Sequence, residues 1–160
     1  MRALFASFAL FLTAALPVSA EPVLKIINFT ADWCPNCQIL NPRMDEAIEA
    51  FEDGAIQRVD LDMTKARRGT PQLEAMQVHT DAINLAGEHK AAYLWDWYGG
   101  VTGIAVVIAA DNGEPLSCFM RTLSVEDMEK RLNLAKILAT RGTPGQRKPQ
   151  GPDCPAPMRG

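Results

Sequence analysis

The sequence predicts an α/β domain: a central mixed four-stranded sheet flanked by helices, with an enlarged helical insert before the third strand. Three observations predict it. An apolar, β-branched run, a helical pattern and a second such run follow one another over residues 23–61. A buried-strand run at Gly103–Ala110 leads into the turn residues Asp111-Asn112-Gly113-Glu114. An amphipathic helix then closes the pattern. The chain has 160 residues, 48% of them hydrophobic, which suits one domain with its own core.

The elements follow in order. Met1 and Arg2 precede an uncharged apolar run to Ala20 that ends Val18-Ser19-Ala20. Its basic start and small residues before Glu21 predict a secretory signal peptide over residues 1–20, cleaved after Ala20, and hence a mature protein in an oxidising compartment. The alternative is an uncleaved membrane anchor, since the run is barely long enough to span. Residues 21–141 form the domain. Val23 to Phe29 reads as a buried strand. From Pro35 to Phe51, Ile39, Leu40, Met44, Ala47, Ile48 and Phe51 recur at helical spacing. Pro35 fits the first turn, Pro42 should kink the helix, and Gly54 should end it. Ile56 to Leu61 is the second strand, and the two strands should be parallel.

The insert, at about 63–100, is helical in composition. Thr70-Pro71 predicts one helix start, with Leu73 and Met76 on one face. Thr80 predicts another, leading through Ile83 and Leu85 to Tyr93-Leu94-Trp95. Pro115 to Arg121 reads as an edge-like strand. Ser124 with Asp127 predicts a helix N-cap, and the last helix carries Met128, Leu132, Leu134, Ala135 and Leu138 as far as Arg141-Gly142. Residues 142–160 hold five Pro and four Gly, which predicts a disordered tail containing Cys154.

Charge narrows the function. A net charge of −3 supplies no broad basic surface, so nucleic acid is not an expected partner. The chemistry points to Cys34-Pro35-Asn36-Cys37. Two cysteines three apart, after a strand and at a helix start, place both sulfurs on one exposed turn. The helix N-terminus stabilises a thiolate at Cys34, the expected nucleophile, while Cys37, one turn deeper, is expected to be the shielded resolving thiol. A structural zinc site needs two more ligands, and Cys118 and Cys154 do not form a second such pair. No resident metal or cofactor is expected. A soft-metal module holding Cu(I) between the two thiolates is the alternative reading.

Phe29-Thr30-Ala31-Asp32-Trp33-Cys34-Pro35-Asn36-Cys37, with Pro42 five residues on, resembles the active-site segment of the thioredoxin superfamily. Asn112-Gly113-Glu114 resembles that fold's hairpin turn, and Gly100-Val101-Thr102-Gly103-Ile104 the segment entering the strand beside the site. The resemblance covers residues 22–140. It implies a thioredoxin-like fold and thiol-disulfide exchange with protein disulfide or dithiol substrates. With the leader, it also implies a periplasmic reductase fed by a membrane-bound electron donor. Trp33, Pro35, Asn36 and Asp32 fall at motif positions.

Three positions depart from the pattern. Ala105 stands where a cis-proline usually faces the cysteines, and a trans bond is expected before it. Asn28 replaces a buried acid six residues before Cys34, and Arg121 stands where a small residue often lines the partner groove. Arg58 either reaches beneath the motif to favour a thiolate at Cys37 or snorkels to the surface. Tyr93, Trp95, Trp97 and Tyr98 read as core packing of the insert, or else as an aromatic wall beside the motif. His79 and His89 receive no role. Cys118 and Cys154 could pair as a structural disulfide, stay free, or link to a partner.

Overall fold

The computed structural model describes residues 21–147 and 154–156. The expected signal segment, residues 1–20, lies outside them. Among the described residues no helix is long and apolar enough to cross a membrane.

The strands are β1 (Leu24–Thr30), β2 (Ile56–Asp62), β3 (Ile104–Ala109) and β4 (Pro115–Met120), in sheet order β2-β1-β3-β4. β1 pairs parallel with β2 and antiparallel with β3, and β3 pairs antiparallel with β4. This is the expected mixed sheet. Both central strands are covered on two faces, which explains their nearly continuous apolar sequences.

The helices are α1 (Pro35–Glu49), α2 (Gln72–Glu88), α3 (Tyr93–Tyr98) and α4 (Val125–Arg141). Two clusters divide the core by strand alternation. Leu24 and Ile26 of β1 pack with Leu40, Met44 and Ala47 of α1 and Met128, Leu132 and Ala135 of α4. Ile27 and Phe29 pack on the other face with Ala82 and Ala86 of α2 and Leu94 and Tyr98 of α3. Period 2 in the strands and periods of three and four in the helices are the physical origin of this division.

α1 begins at Pro35, runs through Pro42 and stops at Glu49, before the expected Phe51. α4 has the predicted cap: the Asp127 N–H donates to Ser124 Oγ at 3.1 Å, and the Ser124 hydroxyl donates to Asp127 Oδ2 at 2.7 Å. The insert departs from expectation. α2 passes unbroken through Thr80, whose hydroxyl donates to the Met76 carbonyl at 2.9 Å instead of capping a new helix. The break falls at Lys90, with φ 61°. Leu73 and Met76 do share a face, but it is open to solvent, at 81% and 56% exposure. Small Ala82 and Ala86 form the buried side.

The segment expected to be disordered from 142 onward is docked wherever it is described. Glu114, in the hairpin turn, accepts the Gly145 N–H at 2.8 Å and the Arg147 N–H at 2.7 Å. Buried Arg147 grips Asp111 through two hydrogen bonds of 2.7 and 2.8 Å. Cys154 is disulfide-bonded to Cys118 of β4, and Tyr98 donates its hydroxyl proton to the Pro155 carbonyl at 2.7 Å. Composition misleads here because a few specific contacts, rather than an apolar face, hold the segment.

Candidate redox site

β1 ends at Thr30, and the chain turns through Ala31–Trp33 into α1. The Cys34 N–H donates to the Ala31 carbonyl at 3.2 Å, which closes that turn. Cys34 is the N-cap residue, with extended backbone (φ −87°, ψ 112°), and Pro35 occupies the first helical turn. A capping residue directs its side chain back over the free N–H groups of the first turn. The Cys37 N–H accordingly points at the Cys34 sulfur at 3.1 Å. The first turn of α1 holds no acidic residue to oppose negative charge there.

Cys34 and Cys37 form a disulfide with a Cα–Cα distance of 5.2 Å. The turn itself is open, with Trp33 42% exposed and Pro35 and Asn36 exposed beside it. The two cysteines are not: Cys37, 1% exposed, is shielded as expected, whereas Cys34 is only 3% exposed, which corrects the expectation of an open nucleophile. The cover over Cys34 is partly backbone. Gly103 has φ +86°, and a Cβ on it would stand 3.4 Å from Cys34 Sγ and 2.5 Å from the Asn36 Cβ. Cys37 faces inward, its sulfur 3.9 Å from the Phe29 carbonyl oxygen. A cavity of about 470 Å³ reaches Cys37 from the α1–β2 side, lined also by Asn41, Arg58 and Asp60.

The Trp33 indole N–H donates to the Thr64 carbonyl at 3.0 Å, and Thr64 Oγ1 accepts the Asp32 N–H at 3.0 Å. Thr64, after β2, therefore holds the approach to the motif in place, and the sequence reading did not single it out. Asp32 is exposed. Asn28 is wholly buried and donates to Asn41 Oδ1 at 3.2 Å and to Asp60 Oδ1 at 2.7 Å.

Arg58 takes neither predicted course in full. It lies against the α1 side of the sheet, bound to Asp45 and, at 2.8 Å, to Asp60, so its charge is paired within the cavity that Cys37 lines. Ala105 is not brought to the cysteines. It is fully buried within β3, opposite Asn28 of β1 and Phe119 of β4, in the α1–α4 cluster. No peptide bond is cis among the described residues, so the bond before Ala105 is trans. The backbone that faces Cys34 belongs to Gly103, and the second glycine of Gly100-Val101-Thr102-Gly103 was the available signal.

The insert's aromatic residues pack inward. Tyr98 meets Phe29 edge-on at 6.3 Å, Trp95 lies 6.4 Å from Phe29, and Tyr93 meets Trp97 at 5.0 Å. Tyr93 donates to the Gly113 carbonyl at 2.7 Å, and burial pushes its phenol pKa well up. His79 stacks near Trp95 at 5.5 Å, and His89 lies 3.2 Å from the Lys25 ammonium. Burial and that ammonium hold the His89 pKa down. Arg121 is exposed, and its carbonyl accepts from Arg43 at 3.0 Å. Among the described residues, no three His, Cys, Asp or Glu side chains converge to hold a metal ion.

Comparison with known proteins places this geometry. The Thioredoxin family model matches residues 15–95, half of the chain. A probable thioredoxin-2 of Caenorhabditis elegans is 27% identical over 111 residues, covering 69% of this chain and 57% of that protein. A thioredoxin of Geodia cydonium is 34% identical over 53 residues, covering 33% of this chain and 50% of that protein. The chain thus spans little more than half the length of these relatives. Among solved structures, a thioredoxin-family thiol:disulfide interchange protein of Chlorobium tepidum TLS is similar at a TM-score of 0.45. It is 21% identical, with 71% of this chain and 79% of that one covered. The Cys34–Cys37 pair at the head of α1, the mixed sheet beneath it and the match over residues 15–95 lead to one assignment: the chain belongs to the thioredoxin family.

Proposed function

We propose that the chain is a thiol-disulfide oxidoreductase acting on protein disulfides, a periplasmic reductase recharged by a membrane-bound dithiol donor. The observation that carries the exchange chemistry is the Cys37 N–H aimed at the Cys34 sulfur at an N-terminus without acidic residues. That N–H and the partial positive charge of the helix end favour the thiolate over the thiol.

In the reduced protein the Cys34 thiolate attacks one sulfur of a substrate disulfide. A mixed disulfide forms, and the other substrate sulfur leaves as a thiolate that takes a proton. Cys37 then loses its proton and attacks the Cys34 sulfur, which closes the Cys34–Cys37 bond and releases the second substrate thiolate. The substrate gains two electrons and the protein loses two. A dithiol donor restores the pair by the reverse exchange. The periplasmic setting is supported by the basic start and apolar run of residues 1–20, and the reductive direction by the family resemblance.

The test is trapping. Cys37→Ser, expressed in the native host, should accumulate partner proteins as mixed disulfides on Cys34, and Cys34→Ser should abolish both capture and turnover. Absence of capture with a Cys34 that reacts with a small disulfide would overturn the reading. Equilibration with glutathione tests direction: a reduction potential near the strongly oxidising end, about −120 mV, would make the protein an oxidant instead.

A further inference from the structure

The loop between β2 and α2 carries Lys65, Arg67 and Arg68, three cations within four residues of a chain whose net charge is −3. All three are exposed, and all three line one cavity of about 530 Å³. Among the described residues, none of their side chains makes an ion pair or hydrogen bond. Arg43, Arg58 and Arg147, by contrast, are each bound to a carboxylate or a carbonyl. The carboxylates on the cavity are Asp32 and Glu74, so the cations remain in excess.

The loop is shaped rather than slack. Thr70 Oγ1 accepts the Arg67 N–H at 3.3 Å and donates to the Lys65 carbonyl at 3.0 Å, and the Thr70 N–H donates to the Arg67 carbonyl at 3.0 Å. It is also fastened to the redox motif. Thr64, the residue before Lys65, takes the Asp32 N–H on its hydroxyl and the Trp33 indole N–H on its carbonyl. Asp32 itself lines the cavity, so a chain segment lying there runs onto the Trp33-Cys34 turn.

We propose that this loop is a substrate-docking site for an acidic segment, rich in Asp or Glu, flanking the disulfide of a protein substrate. The proposal rests on the exchange reading above and names the substrate class for that site. Carboxylates of the partner would pair with guanidinium and ammonium groups that no other side chain engages among the described residues. The benefit would appear mainly in the rate of encounter, and salt would weaken it.

The test uses the full chain, reduced at Cys34 and Cys37, against three disulfides in single-turnover reactions. Two are peptides of equal length with one internal disulfide, flanked either by three Glu or by three Gln. The third is the neutral small molecule bis(2-hydroxyethyl) disulfide. The Glu peptide should react about tenfold faster than the Gln peptide at low ionic strength, an advantage that shrinks as salt is added. Neutralising the loop with Lys65→Gln, Arg67→Gln and Arg68→Gln together should erase that preference and leave the hydroxyethyl disulfide rate unchanged. Reversal with Glu at the same three positions should favour the Gln peptide, while the remote Arg141→Glu should leave the preference intact. Equal rates on both peptides, or a preference that survives neutralisation of the loop, would overturn the docking site. Failure of the unaltered chain on all three disulfides would overturn the exchange reading instead.

Discussion

Asn28 on β1 donates its amide N–H to Asp60 on β2 at 2.7 Å, across the parallel register that sets these two residues side by side. Its second N–H goes to Asn41 at 3.2 Å, and its buried Oδ1 finds no donor among the described residues. The position is thus built for a donor facing two acceptors. A neutral amide sets no second carboxylate beside Asp60, which Arg58 binds at 2.8 Å. The carboxylate at this junction is contributed by β2, where the family pattern expects one from β1.

Asn28→Asp should therefore destabilise the fold in a pH-dependent way. The introduced carboxyl would be buried against Asp60, and both burial and like charge raise its folded-state pKa above the unfolded value of about 3.9. An acid shifted in that direction costs little while protonated and progressively more as pH climbs above the unfolded value. Urea unfolding should show a loss of about 1–3 kcal/mol at pH 8, largely recovered near pH 4. An equal penalty at both pH values would contradict this account.

Gly103 makes a second prediction, with Gly100 as its control. Both have positive φ, +86° and +87°, so alanine at either carries backbone strain of about 1–3 kcal/mol. At Gly100 a Cβ would meet nothing within 4 Å, whereas at Gly103 it would meet Asn36 at 2.5 Å and approach Cys34 Sγ. Gly100→Ala should lower stability while leaving the exchange rate at Cys34 intact. Gly103→Ala should lower stability and also slow that exchange several-fold. Equal effects of the two substitutions on rate would show that the close approach does not govern access to Cys34.

Sheet, hairpin and redox pair were legible because each rests on local chemistry. β-Branched runs such as IAVVIA signal strands, Asn112-Gly113 signals the turn, and Ser124 signals the cap. What escaped depends on neighbours distant in sequence. Thr80 can cap a helix or bond backward within one, and only the continuity of α2 decides between them. Ala105 was expected beside the cysteines from motif alignment, but strand alternation turns it into the other core cluster. The backbone that approaches Cys34 belongs to a glycine 69 positions further along the chain, where a Cβ would stand 3.4 Å from the Cys34 sulfur. The docked tail depends on single contacts at Arg147 and Cys154, which composition averages away.

The Cys118–Cys154 bond spans 36 residues and closes a loop around α4. Loop-closure entropy of that size contributes about 3–4 kcal/mol. Cys154→Ser should therefore lower the free energy of unfolding by that order, since the freed Cys118 thiol stays in its apolar, fully buried place. Exchange with a small disulfide should persist, because Cys34 and Cys37 are untouched. An unaltered urea midpoint in the variant would show that the bond constrains the unfolded chain far less than its span implies.

The tail's other fastening should fail in acid. Hydrogen bonds from the Arg147 guanidinium hold the Asp111 carboxyl below its ordinary pKa. For Glu114, partial burial works against the charged form, but hydrogen bonds from the Gly145 N–H, the Asn112 amide and the Arg147 N–H outweigh it and also lower the pKa. An acid with a depressed folded-state pKa contributes its full stabilisation above the unfolded value, about 4, and loses it as pH falls through the folded one. Asp111 is half exposed, so solvent screening limits the contribution of its ion pair to about 1 kcal/mol. Amide exchange at residues 142–147 should therefore be constant from pH 8 to pH 5, after correction for intrinsic rates, and its protection should fall below pH 4. The Asp111→Asn, Glu114→Gln double variant should show reduced protection at neutral pH and little further loss in acid. Protection that persists unchanged to pH 3 would mean that the disulfide at Cys154, not these carboxylates, holds the segment in place.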